Sequence, residues 1–167
     1  ERLEPGAAMA DYERIVEAQA GGVDLFLCET LPSIEEARIA TRAARKSGLP
    51  VWTSLTVSET DGRRLRSGED LAQAAAAAVE EGADAVLANC SPPEAISAAI
   101  EVLSDNVETF GAYANGFVSI EALRGGANVD RLDAREDLGP QAYARFAARW
   151  ADAGANMIGG CCEVGPA

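Results

Sequence analysis

The chain alternates short apolar runs with longer, alanine-rich amphipathic stretches. The apolar runs are Val23–Cys28, Val51–Val57, Ala85–Asn89, Thr109–Ala114 and Asn156–Gly160. The amphipathic stretches cover roughly 34–47, 69–81, 93–104 and 139–153, and a further one at roughly 8–20 precedes the first apolar run. This alternation, at a spacing of about 30 residues, is typical of βα units and predicts a parallel sheet.

Local signals mark several ends of the predicted helices. Ser33 and Glu36 have the spacing of a capping box, in which the serine hydroxyl accepts a hydrogen bond from the backbone N–H three residues on. Ser91 and Glu94 repeat that spacing, and Pro92 is predicted at the first helical position. The predicted helix ends fall at Gly48, Gly82 and Gly154.

Carboxylate and thiol side chains recur at the carboxyl ends of three predicted strands. Glu29 follows the first strand, Cys90 the third, and Cys161 and Cys162 the fifth. The carboxyl ends of parallel strands form the face on which β/α folds build their sites. We therefore expect these four side chains to lie near one another.

The fold class follows from the repeat and from two missing motifs. No G-x-G-x-x-G string follows a predicted strand and no Walker A motif is present, which argues against a nucleotide-binding fold. Successive βα periods without such a loop favour a (β/α)8 barrel, which needs roughly 250 residues. The 167 residues account for about five strands, so about three would come from sequence that is absent here. The charged, glycine-rich stretch 116–138 is predicted to be an extended loop.

The pair Cys161-Cys162 is the most specific feature of the sequence. Side chains of strand neighbours point to opposite faces, but Gly159 and Gly160 allow a bend that turns both sulfurs to one side. Together with Cys90, three thiolates can then converge, and three cysteine ligands leave one position of a tetrahedral zinc ion open. Two alternatives remain: cysteines that pack as small apolar side chains, and thiols that bind zinc structurally or form a regulatory disulfide.

Composition removes several classes of function. With 14 Lys+Arg against 27 Asp+Glu, the net charge of 14 − 27 = −13 argues against a nucleic-acid partner. The absence of histidine excludes a Ser-His-Asp triad, a Cys-His pair and imidazole metal ligands. The single lysine, Lys46, lies in a predicted helix, which argues against a Schiff-base aldolase.

No apolar run approaches the roughly 20 residues of a membrane span, so no membrane association is expected. Four cysteines are too few for a disulfide-stapled secreted domain, which indicates the cytoplasm.

Four short strings resemble the homocysteine S-methyltransferase family. They are CETLPS at 28–33, ANC at 88–90, YANG at 113–116 and GGCC at 159–162, and the resemblance runs from about Gly22 to the last residue. It implies a (β/α)8 TIM barrel, an α/β fold, of which this chain supplies about strands 4 to 8. Residues 1–167 would form a single domain, the carboxyl-terminal part of the barrel, with its first strands missing.

The resemblance also implies a function and site residues. The chain would belong to a zinc-dependent methyltransferase that passes a methyl group from a small donor to the thiol of homocysteine, giving methionine. The zinc ligands carry over to Cys90, Cys161 and Cys162. Glu29 would hold the amino-acid end of homocysteine, and Asn115 would line the site. The string around Glu29 is closer to the enzymes with sulfonium donors, S-methylmethionine or S-adenosylmethionine, than to the betaine enzymes.

Overall fold

The structure, a computed structural model, describes residues 4–121 and 132–166 and contains five strands in one sheet. The elements are α1 (Pro5–Gln19), β1 (Phe26–Leu31), α2 (Ile34–Arg45), β2 (Val51–Leu55), α3 (Leu71–Glu80), β3 (Ala85–Asn89), α4 (Pro93–Asn106), β4 (Phe110–Ala114), α5 (Pro140–Asp152) and β5 (Met157–Gly160). Every neighbouring pair of strands is parallel, and the strand order follows the chain order. The predicted alternation of strands and helices is confirmed. Among the described helices, none is both long and apolar enough to cross a membrane.

The two faces of the sheet differ in their environment. Helices cover one face, and the core lies between them and the strands, with Leu55, Val86 and Trp150 almost completely buried. On the other face Leu27 and Ile158 remain 40% and 39% exposed and belong to an open apolar surface. Consecutive parallel strands with helices on one side only form the wall of a β/α barrel.

The helix-end predictions are confirmed at α2 and at the glycines. The Ser33 hydroxyl accepts a hydrogen bond from the Glu36 N–H at 3.3 Å and caps α2. Gly48, Gly82 and Gly154 have φ values of +77°, +96° and +97°. Helices often end at a residue with positive φ, and glycine adopts it without the steric penalty of a Cβ.

The predicted capping box at Ser91 is wrong. Helix α4 begins at Pro93, its N-cap is Pro92, and no side chain caps it. The buried Ser91 hydroxyl instead accepts from the Val57 N–H at 3.2 Å and donates to the Val57 carbonyl at 2.9 Å. Because proline has no N–H, the first turn of α4 has fewer donors to satisfy, and the serine bonds the neighbouring loop instead.

Strand β1 lies further along the chain than predicted. It begins at Phe26 because the preceding residues 21–24 form an exposed turn. It runs through Glu29 to Leu31, and its pairing with β2 shifts register between Cys28 and Leu31. Thr30, inside this irregular stretch, has a φ of +63°. Of the predicted loop 116–138, residues 122–131 lie outside the described residues.

Candidate metal and substrate site

Three cysteine sulfurs converge at the carboxyl edge of the sheet. The Sγ atoms of Cys90, Cys161 and Cys162 all lie within 4.8 Å of one another, and the last two are 3.8 Å apart. In a tetrahedral zinc site with Zn–S distances of about 2.3 Å, two sulfurs lie about 3.8 Å apart. The structure therefore brings together the three residues predicted as metal ligands, at separations that fit one small tetrahedral ion.

Cys161 and Cys162 reach the cluster because the chain leaves the sheet just before them. Strand β5 ends at Gly160, and the two cysteines begin a turn in which strand alternation no longer applies. The Cys161 N–H donates to the Ala114 carbonyl at 2.9 Å, and the Cys162 carbonyl accepts from the Gly116 N–H at 2.8 Å. These bonds tie the turn to the end of β4.

The glycines before the thiol pair act differently from the prediction. Among the described glycines, those with positive φ are Gly48, Gly68, Gly82 and Gly154. Gly160 is therefore required for space, not for its conformational freedom, because a Cβ there would lie 2.5 Å from Val164 Cγ1. The left-handed residue that closes the turn is Glu163, with a φ of +61°.

Cys90 is held in an unusual backbone conformation by its neighbours. Its φ is +52°, a region that residues other than glycine rarely adopt. Its N–H donates to the Tyr113 carbonyl at 3.1 Å, and its carbonyl accepts from Arg66 Nη2 at 3.0 Å. The same Arg66 nitrogen lies 2.8 Å from Thr56 Oγ1. These contacts fix the direction in which the Cys90 side chain leaves the strand.

The electrostatics of the cluster single out Cys90. A hydrogen bond from the Cys161 thiol is the largest effect that holds the pKa of Cys90 below its ordinary value, and Asn115 and Arg66 act in the same direction. The pKa of Cys161 is raised by its hydrogen bond with Cys90 and by burial, and burial raises the pKa of Cys162. Among these three thiols, Cys90 is therefore the one that ionises most readily.

Asn115, predicted to line the site, is completely buried beside the cluster. Its N–H donates to the Ser91 carbonyl at 3.1 Å, and its Oδ1 accepts from the Phe117 N–H at 3.2 Å. Its Nδ2 forms no hydrogen bond to any group in the part of the chain that the structure describes. A buried donor of this kind is unusual, and its proximity to Cys90 helps to hold the pKa of that thiol below its ordinary value.

Glu29 extends from the uncovered face of β1, and Tyr113 binds it from β4. The Tyr113 hydroxyl donates to Glu29 Oε2 at 3.3 Å. Burial raises the pKa of Tyr113 well above its ordinary value, and the negative charge of Glu29 acts in the same direction. Tyr113 also accepts from the Cys90 N–H through its carbonyl, so it contacts both the carboxylate and the backbone of the thiol cluster. Tyr113 lies in the YANG string, but no local pattern in the sequence pairs residues 84 positions apart, so its contact with Glu29 had no sequence signal.

The fourth cysteine lies on the other side of the sheet. Strand alternation places Cys28 opposite Glu29, and its sulfur lies 3.6 Å from the Ala40 carbonyl in the core beneath α2. Burial raises the pKa of this thiol to about 11. Within residues 4–121 and 132–166, no further cysteine or carboxylate completes the cluster as a fourth ligand.

The family model for homocysteine S-methyltransferases matches residues 4–167. The chain belongs to the homocysteine S-methyltransferase family. Homocysteine S-methyltransferase 1 from Zea mays is 31% identical over 149 residues, covering 88% of this chain and 45% of the relative. Homocysteine S-methyltransferase 4 from the same plant is 30% identical over 171 residues, covering 93% and 45%.

Comparison with a solved structure of a homocysteine methyltransferase tests the fold of this family member. The crystal structure of the homocysteine methyltransferase MmuM from Escherichia coli, in its metallated form, matches with a TM-score of 0.74 and 24% identity. The match covers 98% of this chain and 49% of MmuM. The expected fold class, part of a TIM barrel, is therefore confirmed. The chain spans about half the length of the relatives that it matches.

Proposed function

We propose that this chain is part of a zinc-dependent methyltransferase that converts homocysteine to methionine. The observation that carries the proposal is the convergence of the Cys90, Cys161 and Cys162 sulfurs at the carboxyl edge of the sheet. The Glu29–Tyr113 pair lies beside them, because the Tyr113 carbonyl accepts from the Cys90 N–H. A thiol cluster next to a carboxylate suits a substrate with a thiol at one end and an ammonium group at the other.

We also propose that residues 1–167 form one domain that supplies strands 4 to 8 of a (β/α)8 barrel. The match to about half of MmuM supports this arrangement. The exposed apolar side chains Leu27 and Ile158 support it as well, because the inner face of a closed barrel is packed. The complete barrel is therefore the form in which activity is expected.

The three cysteines fit zinc as its ligands. Thiolates are soft ligands, and the separations of their sulfurs match a tetrahedral ion. Zinc bound there would supply an acceptor thiol that is deprotonated and oriented at neutral pH. Three thiolates carry one negative charge more than a divalent ion neutralises, so the site stays anionic. Among the described residues no fourth ligand closes the site, which favours a catalytic over a structural metal.

The neighbouring residues would bind the amino-acid end of homocysteine. Glu29 pairs with the ammonium group, and the Tyr113 hydroxyl orients the carboxylate by donating to Oε2. Asn115 lines the site beside Cys90 with a buried amide that has a donor to spare. These contacts place the substrate sulfur and its ammonium group at two fixed points, which is how an enzyme lowers the entropic cost of a displacement.

The methyl transfer itself is a displacement that needs no general base from the protein. We propose a sulfonium donor, S-methylmethionine or S-adenosylmethionine. The bond between the methyl carbon and the donor sulfur breaks, its electron pair stays on that sulfur, and a new bond to the homocysteine sulfur forms. The thiol proton of homocysteine passes to solvent. No imidazole base is needed, in agreement with a chain that has no histidine.

The test is a methyl-transfer assay on the complete protein with zinc quantified in the same sample. Homocysteine is offered with S-methylmethionine, S-adenosylmethionine and betaine in turn. We expect methionine to form with a sulfonium donor, about one zinc per chain, and loss of activity on chelation that added zinc reverses. Full activity in metal-free protein would contradict the proposal. Because three reduced thiols need a reducing compartment, we propose the cytoplasm as the location.

A further inference from the structure

Thr30, the residue after Glu29, has a backbone conformation that its side chain disfavours. Its φ of +63° lies in the left-handed region, which β-branched residues rarely adopt. The pairing of β1 with β2 is irregular at this point. Such a conformation persists only where surrounding contacts enforce it. The direction of the Glu29 side chain therefore depends on whatever holds Thr30.

The side chain of Asn89 holds Thr30 from two sides. Asn89 Oδ1 accepts from the Thr30 N–H at 3.1 Å, and Asn89 Nδ2 donates to Thr30 Oγ1 at 2.8 Å. The Ser54 hydroxyl, on the strand between them, donates to the same Oδ1 at 2.9 Å. Asn89 is completely buried, so water does not compete for these bonds.

The main chain of Asn89 leads directly into Cys90, whose φ is also positive. One residue thus joins the predicted metal ligand at the end of β3 to the backbone that carries the predicted ammonium-binding carboxylate. In this respect Asn89 differs from the buried pair formed by Thr41 of α2 and Thr53 of β2. The hydroxyls of that pair lie 2.7 Å apart under α2, on the helix-covered side.

We propose that Asn89 is a positioning residue that acts through Thr30 on Glu29 and fixes the distance between the two ends of the substrate site. This inference rests on the proposed function, because it assigns Glu29 to the ammonium group of homocysteine. Without the amide, Thr30 relaxes towards an extended conformation and the Glu29 carboxylate turns away from Tyr113. The thiol cluster keeps its three sulfurs.

The kinetic test compares Asn89→Ala with the wild type in the complete protein. We expect the KM for homocysteine to rise about 10- to 100-fold, by analogy with the loss of a residue that orients a metal ligand. The kcat at saturating homocysteine falls much less, and the zinc content stays unchanged. Thr41→Val is the matched control: it removes a buried hydrogen bond and lowers Tm without changing that KM.

A double-mutant cycle separates positioning from general destabilisation. If Asn89 acts through Glu29, then Asn89→Ala adds no further rise in KM when Glu29→Gln is already present. An equal rise in both backgrounds would overturn the proposal, as would an unchanged KM in Asn89→Ala. Should Asn89→Ala not fold, Thr30→Val removes only the Oγ1 contact, and we expect a smaller rise in the same KM.

A structural readout keeps the two proposals apart. A wild-type protein that does not methylate homocysteine would refute the proposed function. The positioning proposal is then decided by the crystal structure of Asn89→Ala. We expect Thr30 to leave the left-handed region and the Glu29–Tyr113 hydrogen bond to break. A structure with both features intact would overturn the role of Asn89, whatever the activity.

Discussion

Replacing one sulfur of the cluster tests the metal site most directly. Cys161→Ser exchanges the thiol for a hydroxyl of similar shape, while the Cys161 N–H bond to the Ala114 carbonyl and the turn stay in place. Cys28→Ser is the matched control. Its side chain lies against the Ala40 carbonyl on the opposite side of the sheet, where a hydroxyl can donate in place of the thiol. The two variants thus make the same chemical change at two sites.

The expected magnitude follows from the number of ligands. Structural zinc sites with four protein ligands bind with about 10–16 kcal/mol, or roughly 3 kcal/mol for each ligand. The cluster here offers three sulfurs, and no fourth side-chain ligand accompanies them in the described part of the chain. Losing one sulfur therefore removes about 3 kcal/mol of zinc-binding free energy, about a third of what three sulfurs supply. This corresponds to a weakening of zinc affinity by about 100-fold.

The assay is competition for zinc against a chromophoric chelator, followed by methyl transfer on the same samples. We expect Cys161→Ser to lose zinc at chelator concentrations that the wild type withstands, and to lose methyl transfer with it. Cys28→Ser keeps both. Equal zinc affinity in Cys161→Ser and the wild type would refute the three-thiol site. Equal loss in both serine variants would show instead that the effect is one of folding.

Three further predictions concern backbone and core. Gly160→Ala places a Cβ 2.5 Å from Val164 Cγ1, so we expect the free energy of unfolding, measured with denaturant, to fall by about 1–3 kcal/mol and zinc binding to weaken. Gly165→Ala is the control: it has open space around it and changes neither quantity. Ser33→Ala removes the cap of α2 and should cost about 1 kcal/mol in the same measurement, with methyl transfer unchanged. Burial raises the pKa of Cys28 from 9.0 to about 11, so its neutral thiol stabilises the fold below about pH 9, and this stabilisation is lost as the pH rises towards 11. Between pH 9 and 11, the free energy of unfolding of the wild type should therefore fall more steeply with pH than that of Cys28→Ala. Parallel curves would contradict the raised pKa of Cys28.

Strand-end residues could be predicted because their positions depend on local periodicity. Cys90, Cys161 and Cys162 each follow an apolar run, and parallel strands bring such ends to one edge. Strand alternation likewise accounts for Cys28, which lies on the face opposite Glu29 with its sulfur in the core beneath α2. In these cases the side-chain position follows from counting along the chain.

Two local predictions, the helix cap at Ser91 and the bend at Gly160, were wrong because the contacts of these residues form only in the folded chain. The local pattern at Ser91 is that of a helix cap, but the hydroxyl bonds Val57, 34 residues away. Gly160 was expected to bend the chain, and its role is to leave room for Val164. The Ser91 outcome has no local signal, because it depends on which loop the folded chain brings beside that serine. Val164 lies only four residues after Gly160, and it comes close because the chain turns back there, with the Val164 N–H donating to the Cys161 carbonyl.

The sequence by itself determined the alternation of strands and helices, the parallel sheet and the thiols at its carboxyl edge, since all three depend on periodicity and on neighbours along the chain. Only the tertiary structure decided how the site is held. Asn89 bonds Thr30 across 59 residues, and Tyr113 bonds Glu29 across 84. The physical reason is that hydrogen bonds of buried polar groups are satisfied by whatever groups packing places within about 3 Å, at any distance along the chain.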